Sequence, residues 1–330
     1  MLAYAPQLVQ ALGGDPQQVC AAAGLSQAVI EAEEIPVRFN QVVQFFDLAA
    51  RFCATPDFGL RLSERQTLAV LGPLWPLIQN APTVKQMLLD LKQYSSLHSR
   101  GLGGDLVGMG DGLRLSYHLV DAGQIDDRQT IELGLALLCN ELRRHAPKGW
   151  QPLAVQLRYR PPASQERYRR AFGPNLAFNQ DVNAITIDLA LLDYPLKAAR
   201  APHHQVVSEL LRQQQNQLPD DIGRSVSTVV RTLIPLGNCT LAQVTQRLAL
   251  SERTLQRRLQ AAGLTFAGIH DQVRADLALK YLLQSTLKSA EIADILGYAD
   301  LTALSRSFRR WHGVSMREAK KQPHRESMTI

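Results

Sequence analysis

Cysteine is scarce in this 330-residue chain, and the four present, Cys20, Cys53, Cys139 and Cys239, lie far apart with no CxxC pair. No histidine sits near them at ligand spacing, so neither a zinc cluster nor a disulfide framework is expected, and a reducing cytoplasm fits. Long apolar runs are missing too. No stretch approaches the ~18 residues of a membrane span, and the opening Met1-Leu-Ala-Tyr-Ala-Pro6 lacks the basic region and apolar run of a secretory signal. Catalytic signatures are equally absent: there is no nucleophile elbow, zinc-protease helix motif or phosphate loop. Adjacent His203 and His204 point to different sides of a helix and cannot chelate together. Gly101, Gly103 and Gly104 have no strand before them and no helix opening after them, so they read as a turn rather than a dinucleotide loop. The expectation is a non-enzyme with no catalytic residue, no metal, no cofactor and no membrane partner.

What the chain does have is an uneven charge. Residues 222–330 hold 16 Lys/Arg against 8 Asp/Glu, whereas residues 1–221 hold 20 against 22. A neutral body joined to a basic C-terminal region points to a polyanion met by the latter, although a solvated basic surface would look the same by charge alone.

Periodicity divides the chain in the same place. Apolar spacings of three and four predict short helices over 7–12, 16–23, 39–52 and 83–94. The pattern then alternates over Gly112–Leu119, after the turn-rich 101–110, which predicts a hairpin. A helix follows over 127–145, then strands over 154–160 and 183–188. Residues 1–211 are therefore expected to form an α+β, helix-rich domain. The polar, aperiodic stretch 212–221 reads as a linker. Residues 222–319 read as all-α, and 320–330 as a flexible tail.

Within that all-α region a single structural phrase occurs twice. Thr240 and Gln243 stand at capping-box spacing before Leu241, Val244 and Leu248, and Ser251 caps the next helix. On that helix Leu255, Leu259 and Ala262 share one face. Arg253, Arg257 and Gln260 lie opposite, flanked by Gln256, and Gly263 ends it. In the second copy Ser289 caps a helix carrying Ile292, Ala293 and Leu296. Asp300 then caps a helix with Leu304, Phe308 and Trp311 on its buried stripe. Thr302, Arg306 and Arg309 face outward, Ser305 sits at the edge and Leu301 nearer the core. Two helix-turn-helix units in tandem suit two neighbouring major-groove segments, where Arg grips guanine and Gln pairs with adenine. Residues 265–284 form one connecting helix, a rod of about 30 Å against the ~34 Å of one duplex turn.

These phrases carry a resemblance. Leu250–Leu259 with Gly263–Phe266, then Arg274, Ala278, Leu282, Ile292–Tyr298 and Phe308–Ser315 resemble the DNA-binding domain of the AraC/XylS family of bacterial transcription regulators. Met316 and His312 depart from the usual residues, which bears on local packing. The resemblance implies DNA contacts from Arg253, Gln256 and Arg257, then Leu301, Thr302, Ser305 and Arg306. It also implies promoter DNA and RNA polymerase as partners. Phe58–Leu62, Leu71–Pro73, Ala81–Thr83 and Phe172–Gly173 are similar to the arabinose-binding-like domain of ornithine-utilisation-type members. That likeness implies an effector-sensing, dimerising domain, without making arabinose the ligand.

Trp75, Tyr94, His98 and Tyr117, with His118, fall near the helix-to-hairpin transition and are the candidate effector-binding residues. Arg61 or Arg100 is a candidate for gripping a carboxylate. Two other readings remain: a fusion with a DNA-repair alkyl-transfer enzyme, which needs an activated cysteine, and a nonspecific architectural binder, which needs wedge residues.

Overall fold

Apolar side chains three and four apart do wind into helices in the computed structural model, which describes residues 2–31, 37–99, 101–120, 125–217, 221–237, 239–248 and 250–321. The chain divides into two compact units. One comprises residues 1–156, 162–177 and 183–219, the other 157–161, 178–182 and 220–330.

In the first unit, helices α1 (Ala5–Ala11), α2 (Pro16–Ala22), α3 (Ala28–Glu31), α4 (Phe39–Phe52), α5 (Phe58–Ser63), α6 (Trp75–Gln79) and α7 (Val84–His98) precede a hairpin. The hairpin is β1 (Leu102–Met109) and β2 (Gly112–Leu119). Then come α8 (Arg128–His145), β3 (Ala154–Gln156), α9 (Glu166–Phe172), β4 (Leu176–Ala177), β5 (Ala184–Asp188) and α10 (Ala201–Gln217). The sheet runs β1-β2-β5-β3-β4, antiparallel except for the β3–β4 edge. This is the helix-rich α+β class expected.

The glycine-rich stretch read as a turn is mostly strand. β1 pairs with β2 from Leu102↔Leu119 to Met109↔Gly112, and only Gly110 and Asp111 turn the chain. Glycine serves the pairing itself: a Cβ on Gly104 would lie 2.5 Å from the Ser116 carbonyl oxygen. Composition signals a turn because glycine is common there, while the true reason is close approach of backbones.

Helix α8 packs against α4 and α5 as well as β2, so it is buried on nearly all sides, with Leu135, Cys139 and Leu142 inside. Phe45, Phe46 and Phe58 stack near it, the first two edge-on at 6.0 Å. One charged group is buried with them. The Glu132 carboxylate accepts from Arg128 Nε at 2.7 Å and from the Tyr168 hydroxyl at 2.8 Å. Burial pushes its pKa up to about 7 against the pull of Arg128.

Residues 212–217, expected as linker, extend α10 instead. Arg212 and Gln213 reach back to the Glu209 carboxylate at 2.9 and 3.3 Å, and Gln and Arg are sound helix formers. A helix held by such pairs does not require an apolar stripe.

The second unit holds α11 (Ile222–Leu233), α12 (Leu241–Leu248), α13 (Glu252–Ala261), α14 (Phe266–Gln284), α15 (Ser289–Ile295), α16 (Leu301–His312) and α17 (Met316–Lys321). Val226 and Val230 of α11, Val244, Leu255, Leu259, Leu277, Tyr281, Ile292, Leu304 and Phe308 form one core. The 19 residues of α14 make a rod of about 28 Å. Residues 322–330, most of the expected tail, lie outside the described residues, and Lys320 and Lys321 close α17.

Candidate DNA interface and a cavity in the first unit

Each reading helix is positioned by its cap and its buried stripe. At α12, the Thr240 amide donates to Gln243 Oε1 at 3.2 Å and the Gln243 amide to Thr240 Oγ1 at 3.3 Å, completing the capping box. Ser251 Oγ accepts from the Thr254 amide at 3.2 Å at the start of α13, and Gly263, at φ 70°, closes its end. At α16, Asp300 Oδ1 accepts from the Ala303 amide at 2.7 Å, and Gly313 ends the helix. The start of α15 is arranged differently from expectation. Lys288 occupies the cap, and its amide donates to Glu291 Oε2 at 2.6 Å while Ser289 begins the helix. A lysine side chain has no acceptor, so Glu291 supplies this turn's capping oxygen.

The buried stripes are Leu255 and Leu259 on α13 and Leu304 and Phe308 on α16. Ala262 leaves its stripe and is exposed, because the helix stops one residue earlier. Trp311 is half-buried, its indole N–H donating to Asp271 at 2.8 Å. Opposite the stripes, Arg253, Gln256, Arg257 and Gln260 are exposed, as are Thr302, Ser305, Arg306 and Arg309. Leu301, read as nearer the core, is 41% exposed. As the first residue of α16 it has no preceding turn to lean on.

Arginines in this unit fall into two sets. Arg231 is bound to Asp276 at 2.9 Å, Arg310 to Asp271 at 2.9 Å, and Arg274 lies over the Tyr298 ring at 4.8 Å. By contrast, Arg253, Gln256, Arg257, Arg306 and Arg309 carry no hydrogen bond or ion pair among the described residues. Side chains held on rigid helices with no hydrogen bond or ion pair among the described residues are suited to base edges or phosphates. The two departures from the expected pattern pack well. The His312 ring lies 4.5 Å from Phe308, and Met316 joins the core margin.

In the first unit, a cavity of about 170 Å³ opens between α7, the 3-10 turn at 68–74, β1, β2 and α8. Leucines dominate its wall, among them Leu71, Leu88, Leu106, Leu115, Leu133 and Leu137. His98 and Tyr117 line it. Trp75 and Tyr94 do not. Along α7 the lining residues Leu88, Leu91, Lys92, Ser95 and His98 define one face, and at ~100° per residue Tyr94 falls past its edge. Tyr94 is instead buried, and its hydroxyl donates to the Ser208 carbonyl at 3.4 Å. Trp75 sits half-buried at the head of α6. His118 neighbours Tyr117 on β2 and so takes the other side of the strand, against Gly103. Arg61 is paired with Asp57 at 2.8 Å, and Arg100 lies outside the described residues. The lining groups Thr130, Lys92 and Asp105 were missed by sequence reasoning. Thr130 sits inside an ordinary helical pattern, and Lys92 meets Asp105 across 13 residues through the fold.

Burial sets the protonation of these groups. It lowers the His98 pKa to about 4 and pushes the Tyr117 phenol up. Burial also raises all four thiols, Cys139 and Cys239 to about 11, the reverse of what an activated nucleophile needs.

Both units resemble known proteins. Residues 13–196 match the N-terminal arabinose-binding domain of AraC transcription regulators, and residues 244–322 match a helix-turn-helix domain. The HTH-type transcriptional regulator VirS of Mycobacterium tuberculosis is 28% identical over 315 residues, covering 94% of this chain and 92% of its own length. The ornithine utilization regulator of Pseudomonas aeruginosa is 28% identical over 312 residues, covering 93% and 91%. Among solved structures, the transcriptional regulator CdpR from Pseudomonas aeruginosa aligns with 92% of this chain and 96% of its own, at 20% identity and a TM-score of 0.46.

Proposed function

The chain belongs to the AraC family of transcription regulators, and from that premise we propose how its two regions divide the work. Residues 222–319 read DNA, and residues 1–211 sense a small molecule that tunes that reading. Arg253, Gln256 and Arg257 of α13 contact one major-groove segment. Leu301, Thr302, Ser305, Arg306 and Arg309 of α16 contact the next, with Leu301 placed to meet a thymine methyl. The observation that carries this reading is the pair of capped helices whose outward Arg and Gln side chains have no hydrogen-bond or ion-pair partner among the described residues. His98 and Tyr117 contribute to the effector site, since both line the cavity.

The same premise supplies promoter DNA as the target and RNA polymerase as protein partner, at work in the bacterial cytoplasm. A homodimer is supported by Val206 and Leu210, exposed and four residues apart on α10. The raised thiol pKa values speak against alkyl transfer, and direct readout by Arg and Gln against a purely architectural role.

The test is to sequence the genomic fragments retained by the purified chain, with and without a metabolite extract of the cell. A single enriched motif with two half-sites about one duplex turn apart is expected, its recovery altered by the extract. Random fragments would remove the sequence-specific reading.

A further inference from the structure

One carboxylate on α14 receives two consecutive residues from the last turn of α16. Arg310 Nη2 lies 2.9 Å from each oxygen of Asp271, and the Trp311 indole N–H donates to Asp271 Oδ2 at 2.8 Å. His312 adds a contact one turn along the same helix, its Nε2 lying 3.3 Å from the Ala275 carbonyl oxygen. Asp271 and Ala275, four residues apart, share one face of α14. Tyr298 backs the arrangement. Its ring meets Trp311 edge-on at 6.3 Å and carries the Arg274 guanidinium at 4.8 Å.

Apolar burial alone leaves a helix free to roll. Leu304 and Phe308 hold α16 in the core, but that force has no preferred direction, whereas a hydrogen bond does. Arg310 and Trp311 leave the helix ~100° apart. A single carboxylate that receives both therefore fixes the roll of α16 about its own axis. Roll matters to reading. At a radius of ~5–6 Å, a roll of about 10° carries an outward side chain about 1 Å, and a binding constellation tolerates about 0.5 Å. Arg306 lies one turn before Arg310, ~40° around the helix, so it moves with it. The first reading helix is tethered differently. Only residues 262–265 separate α13 from α14, a short covalent turn, while α16 follows α15 and has no such turn to the rod.

We propose that Asp271 is a positioning residue for the second reading helix. By holding Arg310 and Trp311 it sets the roll of α16, and through that the base preference of Thr302, Ser305 and Arg306. This rests on the reading of α16 as the second groove-reading helix, and it assigns the orientation of that helix to a residue outside it.

The experiment uses the full chain and the duplex it retains from fragmented genomic DNA, with a single-base variant at each position. R257A and R306A first assign base positions to α13 and α16. The readout is preference, the ratio of affinities for the parent duplex and a variant. Loss of a negative charge changes affinity on every sequence alike and cancels in that ratio. D271A should lower preference about threefold or more at the positions that R306A assigns, and leave those of R257A unchanged. W311F, which keeps a ring and loses the N–H, should relax the same positions. D271E, which keeps the carboxylate, should restore part of the preference. The Arg310 pair is largely exposed and so contributes little to stability. Thermal melts verify that each variant is folded, and nearly isosteric D271N replaces D271A if it is not.

Unchanged preference in folded D271A, equal relaxation at both sets of positions, or no restoration in D271E would each overturn the proposal. Those outcomes leave the regulator reading standing as long as the wild-type chain enriches one motif. Absence of any motif, or R257A and R306A assigning no separate positions, would instead sink that reading, and the proposal with it.

Discussion

Arg257 and Arg306 owe their proposed role to what they do not touch. Both lie opposite a buried stripe, on a capped helix, with no carboxylate among the described residues to hold them. Arg310, four residues beyond Arg306, is tied to Asp271 and serves the packing of α16. Arg257→Ala and Arg306→Ala should each cost roughly 1–3 kcal/mol on the specific site and relax base preference at different positions. Competition binding against single-base operator variants checks this. Equal loss on every sequence would make them phosphate contacts. His98 supplies a second prediction. Its pKa is near 4 in the folded protein against about 6.5 for an unhindered imidazole. Its neutral ring therefore supports the fold fully above pH ~6.5, and that support fades as pH falls toward 4. Melting temperature measured across this range should fall more steeply for the wild type than for H98Q. Parallel curves would mean that the ring titrates normally.

At the scale of elements, α13 and α16 each depend on an anchored face. Leu255, Leu259, Leu304 and Phe308 are fully or almost fully buried in the core of the second unit. Leu259→Ala or Phe308→Ala should destabilise that unit by about 2–5 kcal/mol, with no change in base preference among molecules that remain folded. Chemical denaturation reads the first effect and operator competition the second. Unaltered stability in both would contradict the helix phase on which the outward residues depend. Caps contribute on a smaller scale. Asp300→Ala removes the oxygen that holds the Ala303 amide and should cost about 1 kcal/mol, again read by chemical denaturation.

For the molecule as a whole, the segregation of charge is the governing feature. The excess of 16 basic over 8 acidic residues past position 221 sits on the region that carries both reading helices. Operator affinity of the full chain should therefore fall steeply with salt, log K declining against log salt by about 0.9 for each phosphate neutralised. Fluorescence anisotropy across a salt series measures the slope. A flat response would mean that the basic excess meets no phosphates. In the proposed reading Leu301, exposed at the head of α16, meets DNA by apolar surface rather than charge, so its share of the affinity should not fall with salt.

Local pattern by itself determined the tandem helix-turn-helix units, apart from the cap of α15, which falls at Lys288 rather than Ser289. Their caps act between residues three apart, and their buried and outward faces follow from ~100° per residue, so the information lies within a dozen positions. Strand β1 escaped that logic because its glycines are chosen for the partner strand's backbone, which a single segment does not display. The helical run through Gln217 escaped because it is held by polar pairs rather than an apolar stripe. The cavity was beyond local reading altogether. Tyr94 and His98 share a spacing that invited one assignment, yet only His98 reaches the cavity, and Thr130 meets it from another helix. A hollow exists only between elements, and which side chains face it depends on how α7, α8 and the hairpin pack, a long-range arrangement that no short window of sequence specifies.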